Sequence, residues 1–356
     1  MGCILCGSGD THEILSLSCS VSSDSRFLPF GFSLVRCGSC GTLQKKADKT
    51  YKLNITELYS HYRSYPLTEG RDQLKSFGKI PVTRAQLIEK NCADHLPETG
   101  NALDIGTGSG SFLKVISETR PNLELSAQDI GRDPDFSVDV KKFYTCPPDK
   151  ISERFSMISM IHVLEHITEP HEFLENVKGL LTENGVLLIQ VPDISSNIFD
   201  TAVLDHAVHF SKASLYTLLK EHFPCVAFPD GQIAKEITVI ASMHGRDTKQ
   251  PEKKTVDFER YAEYLKTVSA INEPMYVFGT APVSTFFGGY IGDRLVGFLD
   301  EDAFKQGKLH LDKKIISPLD AENGIKCILP FPQEMASNIS ARFNKIDFIT
   351  ICSSTL

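Results

Sequence analysis

The chain has no tryptophan and no run approaching the about 18 consecutive apolar residues that a membrane-spanning helix needs. Its first residues, Met1-Gly2-Cys3-Ile4-Leu5-Cys6, lack the basic stretch followed by an apolar one that marks a secretory leader. Position 6 is Cys where a myristoylation signal carries a small hydroxyl residue. Positive charge is also scarce: 37 Lys and Arg stand against 45 Asp and Glu, a net charge of −8. The densest basic cluster, Lys249 to Lys254, is broken by Pro251 and Glu252. Neutralising phosphates takes a basic face, so neither nucleic acid nor a membrane is an expected partner. The expectation is a soluble cytoplasmic protein whose thiols stay reduced. Its 10 cysteines are then metal ligands, catalytic groups or small buried apolar residues.

Four of those cysteines are paired in sequence. Cys3 and Cys6 form one C-x-x-C unit and Cys37 and Cys40 another, each followed by glycine (Gly7, Gly41). Glycine lets the turn open so that backbone N–H groups approach the sulfurs. Two such units supply the four thiolates of a structural zinc site, with no position left for water. The interval between them exceeds that of compact zinc ribbons, so 7–36 is expected to be an irregular loop.

The length of 356 residues suits two or three domains, and the apolar share of 41% is that of an ordinary globular chain. Periodicity is weak up to about residue 70, where an aromatic run, Tyr59 to Tyr65, stands out. A helical pattern over 82–95 follows. Strand patterns at 102–105, 123–128, 157–161, 186–191, 226–228 and 237–242 then alternate with helical ones at 111–118, 170–181 and 212–221. That alternation implies a parallel sheet covered on both faces. The polar stretch 245–254 interrupts it, and a second strand-to-helix pattern starts at Met275.

Between the first strand and its helix lies Asp104-Ile105-Gly106-Thr107-Gly108-Ser109-Gly110. Glycines there let a ligand approach the backbone, and the N–H groups of the helix start face it. The spacing is G-x-G-x-G, not the G-x-G-x-x-G of dinucleotide-binding loops. Asp104, two residues before the first glycine, suits a cationic ligand. Asp129 ends the next strand, where ligands of open α/β sheets bind, and its carboxylate can accept two ribose hydroxyls.

This block resembles motif I of class I S-adenosylmethionine-dependent methyltransferases, and Met157 to Ile167 and Thr182 to Asp193 resemble their fourth strand and fifth-strand passage. Ser156 departs from the Asp often found there. The resemblance implies a cofactor site of Asp104, Gly106, Thr107, Gly108, Gly110, Asp129, Ile130 and His162, with adenine near Tyr144 to Cys146. The order of modules resembles that of nucleotide-sugar C-methyltransferases: a zinc-binding module (1–70), a Rossmann-like core (71–245) and a smaller Rossmann-like α/β domain (255–356). Cys3, Cys6, Cys37 and Cys40 are its zinc ligands. The implied substrate is a nucleotide sugar, methylated at a carbon beside a keto group through base-assisted enolate formation.

The catalytic segment of that group reads Tyr-His-Glu-His and then an aromatic-Ser pair; here it is Val203-Leu204-Asp205-His206, then His209-Phe210-Ser211. His206 is the expected general base, Asp205 its orienting carboxylate and His209 the second choice. His162 and His166 are outer candidates. Glu165 is expected to brace its loop. The missing phenol at Val203 leaves open O- or N-methylation of a sugar, or a non-catalytic cofactor-binding scaffold.

Overall fold

A computed structural model describes residues 2–60, 74–77, 80–131 and 138–351. Tyr62 and Tyr65 of the aromatic run, the expected boundary at 70 and the last five residues lie outside them.

The centre is a seven-stranded sheet in the order Lys142–Tyr144, Leu123–Gln128, Gly100–Ile105, Phe155–Ile161, Leu181–Pro192, Glu236–Ser242, Cys225–Ala227. The first five strands are parallel. Glu236–Ser242 runs antiparallel to both neighbours. Successive side chains of a strand point to opposite faces, and the core divides accordingly. Leu103, Ile158 and Leu187 pack with Leu174, Val177, Leu215 and Leu219 on one face. Ala102, Met157 and Leu188 pack with Ile88, Phe112, Leu113 and Ile116 on the other. This is the expected Rossmann-like α/β core. The expected helices form as Ser111–Thr119, Pro170–Gly179 and Lys212–Lys220, the last held by a capping box of Ser211 and Ser214; the second ends two residues short of the expected 181 because Leu181 opens the next strand.

A second sheet, Leu309–His310, Lys313–Ile316, Leu295–Leu299, Met275–Phe278, Lys326–Ile328, Asp347–Ile349, is parallel except for its edge hairpin. Helices Phe258–Ala270, Pro282–Ile291 and Gln333–Arg342 accompany it, giving the smaller Rossmann-like unit.

The N-terminal part corrects the expectation of an irregular loop. Residues 7–36 contain Thr11–Leu17, Ser20–Val21 and Phe27–Leu28 and most of Phe32–Cys37. The strands are short, and Thr11–Leu17 is half-exposed throughout, so no clean apolar alternation marked them. Phe32–Cys37 lies between Thr11–Leu17 and Leu43–Lys45, and the outer strand of this sheet is Val208–His209 from the core. Two further backbone bonds sew the same segment in place: Leu204 N to Val21 O at 2.7 Å and Lys45 N to Ala207 O at 2.9 Å.

Both other parts reach this segment through side chains. Val203 is buried in one cluster with Val21, Tyr261 and Phe286, and Leu204 in another with Leu34 and Tyr51. Phe199 sits edge-on to Tyr261, Tyr264 and Phe287 at 5.6, 5.8 and 5.9 Å. Among the described residues no helix is long and apolar enough to cross a membrane.

Phe199→Ala empties a site 1% exposed. It should lower unfolding free energy by about 3–5 kcal/mol, measured by urea unfolding followed through circular dichroism. A loss below about 1 kcal/mol would show that this cluster does not join the parts.

Candidate active site and cysteine cluster

Gly106, Gly108 and Gly110 all have left-handed backbones, with φ of 68°, 51° and 78°. A Cβ on Gly106 would lie 2.5 Å from Val163 Cγ2, whereas one on Gly108 would meet nothing within 4 Å. Conformation alone therefore demands glycine at 108, on an open side of the loop. Gly106 N and Thr107 N donate to Gln128 O at 2.8 and 3.1 Å, tying the loop to the neighbouring strand. Asp129 accepts from Gly108 N and Gly131 N, both at 2.9 Å. Ile130 beside it is 83% exposed, an apolar side chain left at the rim.

Asp104 is buried and accepts a 2.6 Å bond from Ser159 Oγ. Burial pushes its carboxyl up to about 6, against the pull of that bond. The glycine turn, the buried acid and the acid at the next strand's end fit a cationic adenosyl ligand: its amino and sulfonium groups offer the charge that Asp104 lacks.

His162 follows the strand Phe155–Ile161 with φ of 56°. Its Nδ1 lies 3.0 Å from Glu165 Oε1 and its Nε2 3.2 Å from Glu236 Oε2. Burial alone would depress it, but the Glu236 and Glu165 carboxylates together outweigh burial and the imidazole is pushed up to about 10. It is thus charged at neutral pH and cannot accept a proton there. Glu165, 1% exposed, braces this turn as expected.

The histidines gather around a residue that the sequence reading did not single out, Asp200, in the 3-10 turn Ile198–Ala202. Its carboxylate accepts from His206 Nδ1 at 3.0 Å and from His209 Nδ1 at 2.8 Å. Against the cost of burial, the two imidazoles hold Asp200 well below the usual carboxylate range. Burial would depress His206, but Asp200, with Glu165 and Asp205 behind it, outweighs burial and the imidazole is raised. His209 goes the other way. Burial and the nearby Lys45 ammonium, 3.0 Å from its Nε2, hold it down to about 4. Lys45 is itself fully buried, donates to Thr201 O at 2.5 Å and lies 3.9 Å over the Phe32 ring. Burial lowers it to about 7 despite Asp200 and Asp205.

Asp205 is not the partner of His206. Its carboxylate accepts from Ser23 N at 2.8 Å and Ser23 Oγ at 2.5 Å, and lies 3.5 Å from His166 Nδ1. The backbone bond from Leu204 to Val21 turns Asp205 over Ser23, which leaves His206 to the carboxylate six residues upstream. His166 Nδ1 donates to Asp205 O at 2.9 Å, and the His166 and His206 rings meet edge-on at 4.9 Å. One turn, 162–166, therefore carries Val163 over the glycine loop and His166 against His206.

The four expected cysteines converge. Sγ atoms of Cys3 and Cys40 are 3.5 Å apart and those of Cys6 and Cys37 3.6 Å, with all four within 4.8 Å of one another. A tetrahedron with Zn–S bonds of about 2.3 Å has edges of about 3.8 Å, so the set fits zinc. Gly7 (φ 69°) and Gly41 (φ 81°) turn left-handed and donate to Cys3 O and Cys37 O, both at 2.9 Å, closing two equivalent knuckles.

Residues 80–230 match the family model described as a methyltransferase domain. The core is thus similar to a methyltransferase domain. Over 213 residues the chain is 23% identical to the C-methyltransferase NovU of Streptomyces niveus, a match covering 54% of this chain and 46% of that protein. The chain thus spans about half the length of the curated relative it matches. Among solved structures, human N-acetylserotonin methyltransferase in complex with SAM is similar at 15% identity and a TM-score of 0.38, covering 46% of this chain and 52% of that one. CalO1, a methyltransferase in calicheamicin biosynthesis in its SAH-bound form, is similar at 17% identity and a TM-score of 0.35, covering 44% and 52%.

Gly108→Ala adds a Cβ to a left-handed residue at a cost of about 1–2 kcal/mol. If the turn must keep its shape to take the methyltransferase cofactor, affinity for S-adenosylhomocysteine should fall about 5- to 30-fold by calorimetry. Unchanged affinity would place the cofactor elsewhere. Cys37→Ser should release one zinc per chain, read by atomic absorption on purified protein. Retention of a full equivalent would exclude the four-cysteine site.

Proposed function

We propose that this chain transfers the methyl group of S-adenosylmethionine to a carbon beside the keto group of a sugar carried on a nucleotide. The observation that carries the reading is the Asp200–His206 pair, placed against the turn that also roofs the glycine loop. Asp104, the left-handed turn from Gly106 to Gly110, Asp129 and the exposed Ile130 would hold the cofactor, which supplies an electrophilic methyl. The four cysteines would hold a structural zinc that fixes the N-terminal sheet.

His206 Nδ1–H donates to Asp200, so the neutral imidazole has its lone pair on Nε2, the atom that takes the α-proton. Asp200 then stabilises the imidazolium that forms. A base tuned near working pH is what such a step needs. His209, held near 4 and bonded to Lys45, stays neutral and serves instead to anchor Asp200. Val203 and Leu204 are buried apolar contacts, so no phenol reaches an enolate oxygen from those positions. Methylation at a sugar oxygen or nitrogen, which needs a base but no enolate stabiliser, is the second reading.

Incubation with a 4-keto sugar nucleotide and cofactor should yield a product one methyl heavier by mass spectrometry, and His206→Asn should abolish it. In deuterium oxide the sugar α-proton should exchange without cofactor. Methylation without that exchange would favour transfer to oxygen or nitrogen, and cofactor binding with no product from any sugar would favour a scaffold. Activity requires neutral His206, so kcat/KM should rise with pH through the raised pKa. Asp200→Asn removes the raising charge and should move that limb to lower pH while slowing turnover. A limb left in place would sink the assignment of the base.

A further inference from the structure

The turn that follows the fourth core strand brings two residues that the methyl-transfer reading does not use, Glu165 and His166, against His206. Glu165, His166 and His206 each offer a ligating atom, and the three lie within 4.8 Å of one another. Glu165 is 1% exposed; Oε1 faces His162 Nδ1 at 3.0 Å, and Oε2, buried, has no hydrogen-bond partner among the described residues. A buried carboxylate oxygen without a donor is costly and calls for one.

The two imidazoles are set up to complement it. His166 Nδ1 donates to the backbone oxygen of Asp205, and His206 Nδ1 to the carboxylate of Asp200. A carbonyl and a carboxylate only accept, so both tautomers are fixed with the lone pair on Nε2. Metal-binding histidines are held in this way by an oxygen on the far ring nitrogen. Asp205, 3.5 Å from His166 Nδ1, and Asp200, 3.0 Å from His206 Nδ1, put negative charge behind the two rings.

A neighbouring grouping, Asp200, His206 and His209, is equally compact. There the Nδ1 hydrogens already lie between the ligand atoms and Lys45 Nζ is 3.0 Å from His209, so a cation would have to displace protons beside an ammonium.

We propose that Glu165, His166 and His206 form a site for a late first-row divalent cation, zinc or cobalt, distinct from the four cysteines, and that filling it takes His206 out of proton transfer. Two imidazoles and one carboxylate suit these ions, leaving positions for water. The metal and the α-proton compete for one lone pair, so the metal-loaded form is the inactive one. The second half rests on His206 being the base; the first half does not.

The test uses the full chain with its cysteine site filled by zinc. Cobalt is titrated in and followed by its visible d–d absorption and by calorimetry. One further equivalent should bind, without the thiolate-to-cobalt charge-transfer band that binding at the cysteines would give. Glu165→Gln and His166→Asn should each weaken that uptake about tenfold or more. Zinc added to the methyl-transfer assay should slow turnover, and a chelator should restore it. No uptake by the folded wild-type chain, or undiminished uptake in both variants, overturns the site. Cobalt uptake with the expected losses in a chain that methylates nothing supports the site and removes only the base reading. Cobalt uptake without inhibition of an active enzyme overturns the competition.

Discussion

The histidine cluster of this molecule is organised by one buried carboxylate. Asp200 lies between two imidazoles and fixes the tautomer of both. An unpaired carboxylate at that depth would cost several kcal/mol. The surroundings are therefore built to satisfy it: two N–H donors in contact, and the Lys45 ammonium one residue beyond. The same charge separates the histidines it holds. His206 is lifted because Asp200 is its dominant neighbour, and His209 is depressed because burial and Lys45 outweigh Asp200. Two residues three positions apart thus acquire different proton affinities from one partner.

That arrangement depends on the backbone being held from three sides. Segment 203–209 is sewn to the N-terminal sheet by main-chain bonds, while its flanking apolar residues are buried against both other parts. The cysteine cluster sits at the end of the strand Phe32–Cys37, next but one to Val208–His209, one residue past the level of His209. A zinc ion there would stiffen the sheet on which the histidines are hung, with no direct part in the chemistry.

Much of this was legible in the sequence. The alternation of strands and helices gave the core, because parallel strands buried on both faces read as apolar runs. The C-x-x-C pairs gave the thiol cluster, and G-x-G-x-G with its flanking acids gave the turn. Asp200 was not legible. It lies in a turn with no periodicity, and its role arises only because Leu204 pairs with Val21, a contact 183 residues apart in sequence (204 − 21). That contact also removes Asp205 from His206, which adjacency alone had joined. Lys45 escaped notice for a similar reason, since nothing local marks a lysine as buried. The N-terminal strands were hidden by their shortness and half-exposed faces.

Gly289, on the helix Pro282–Ile291, gives one more consequence. A Cβ there would fall 2.0 Å from the ring of Phe27. The N-terminal and C-terminal parts therefore touch with no room between them, and the histidine segment is packed against both. Contacts of such sequence separation carry a large loop-closure entropy and form slowly. On the ribosome the central sheet can assemble as soon as it emerges, but the enclosure of the histidine segment is completed only after the helix that carries Gly289 has been synthesised and has folded back. A nascent chain would then hold its central sheet well before the histidine segment is enclosed.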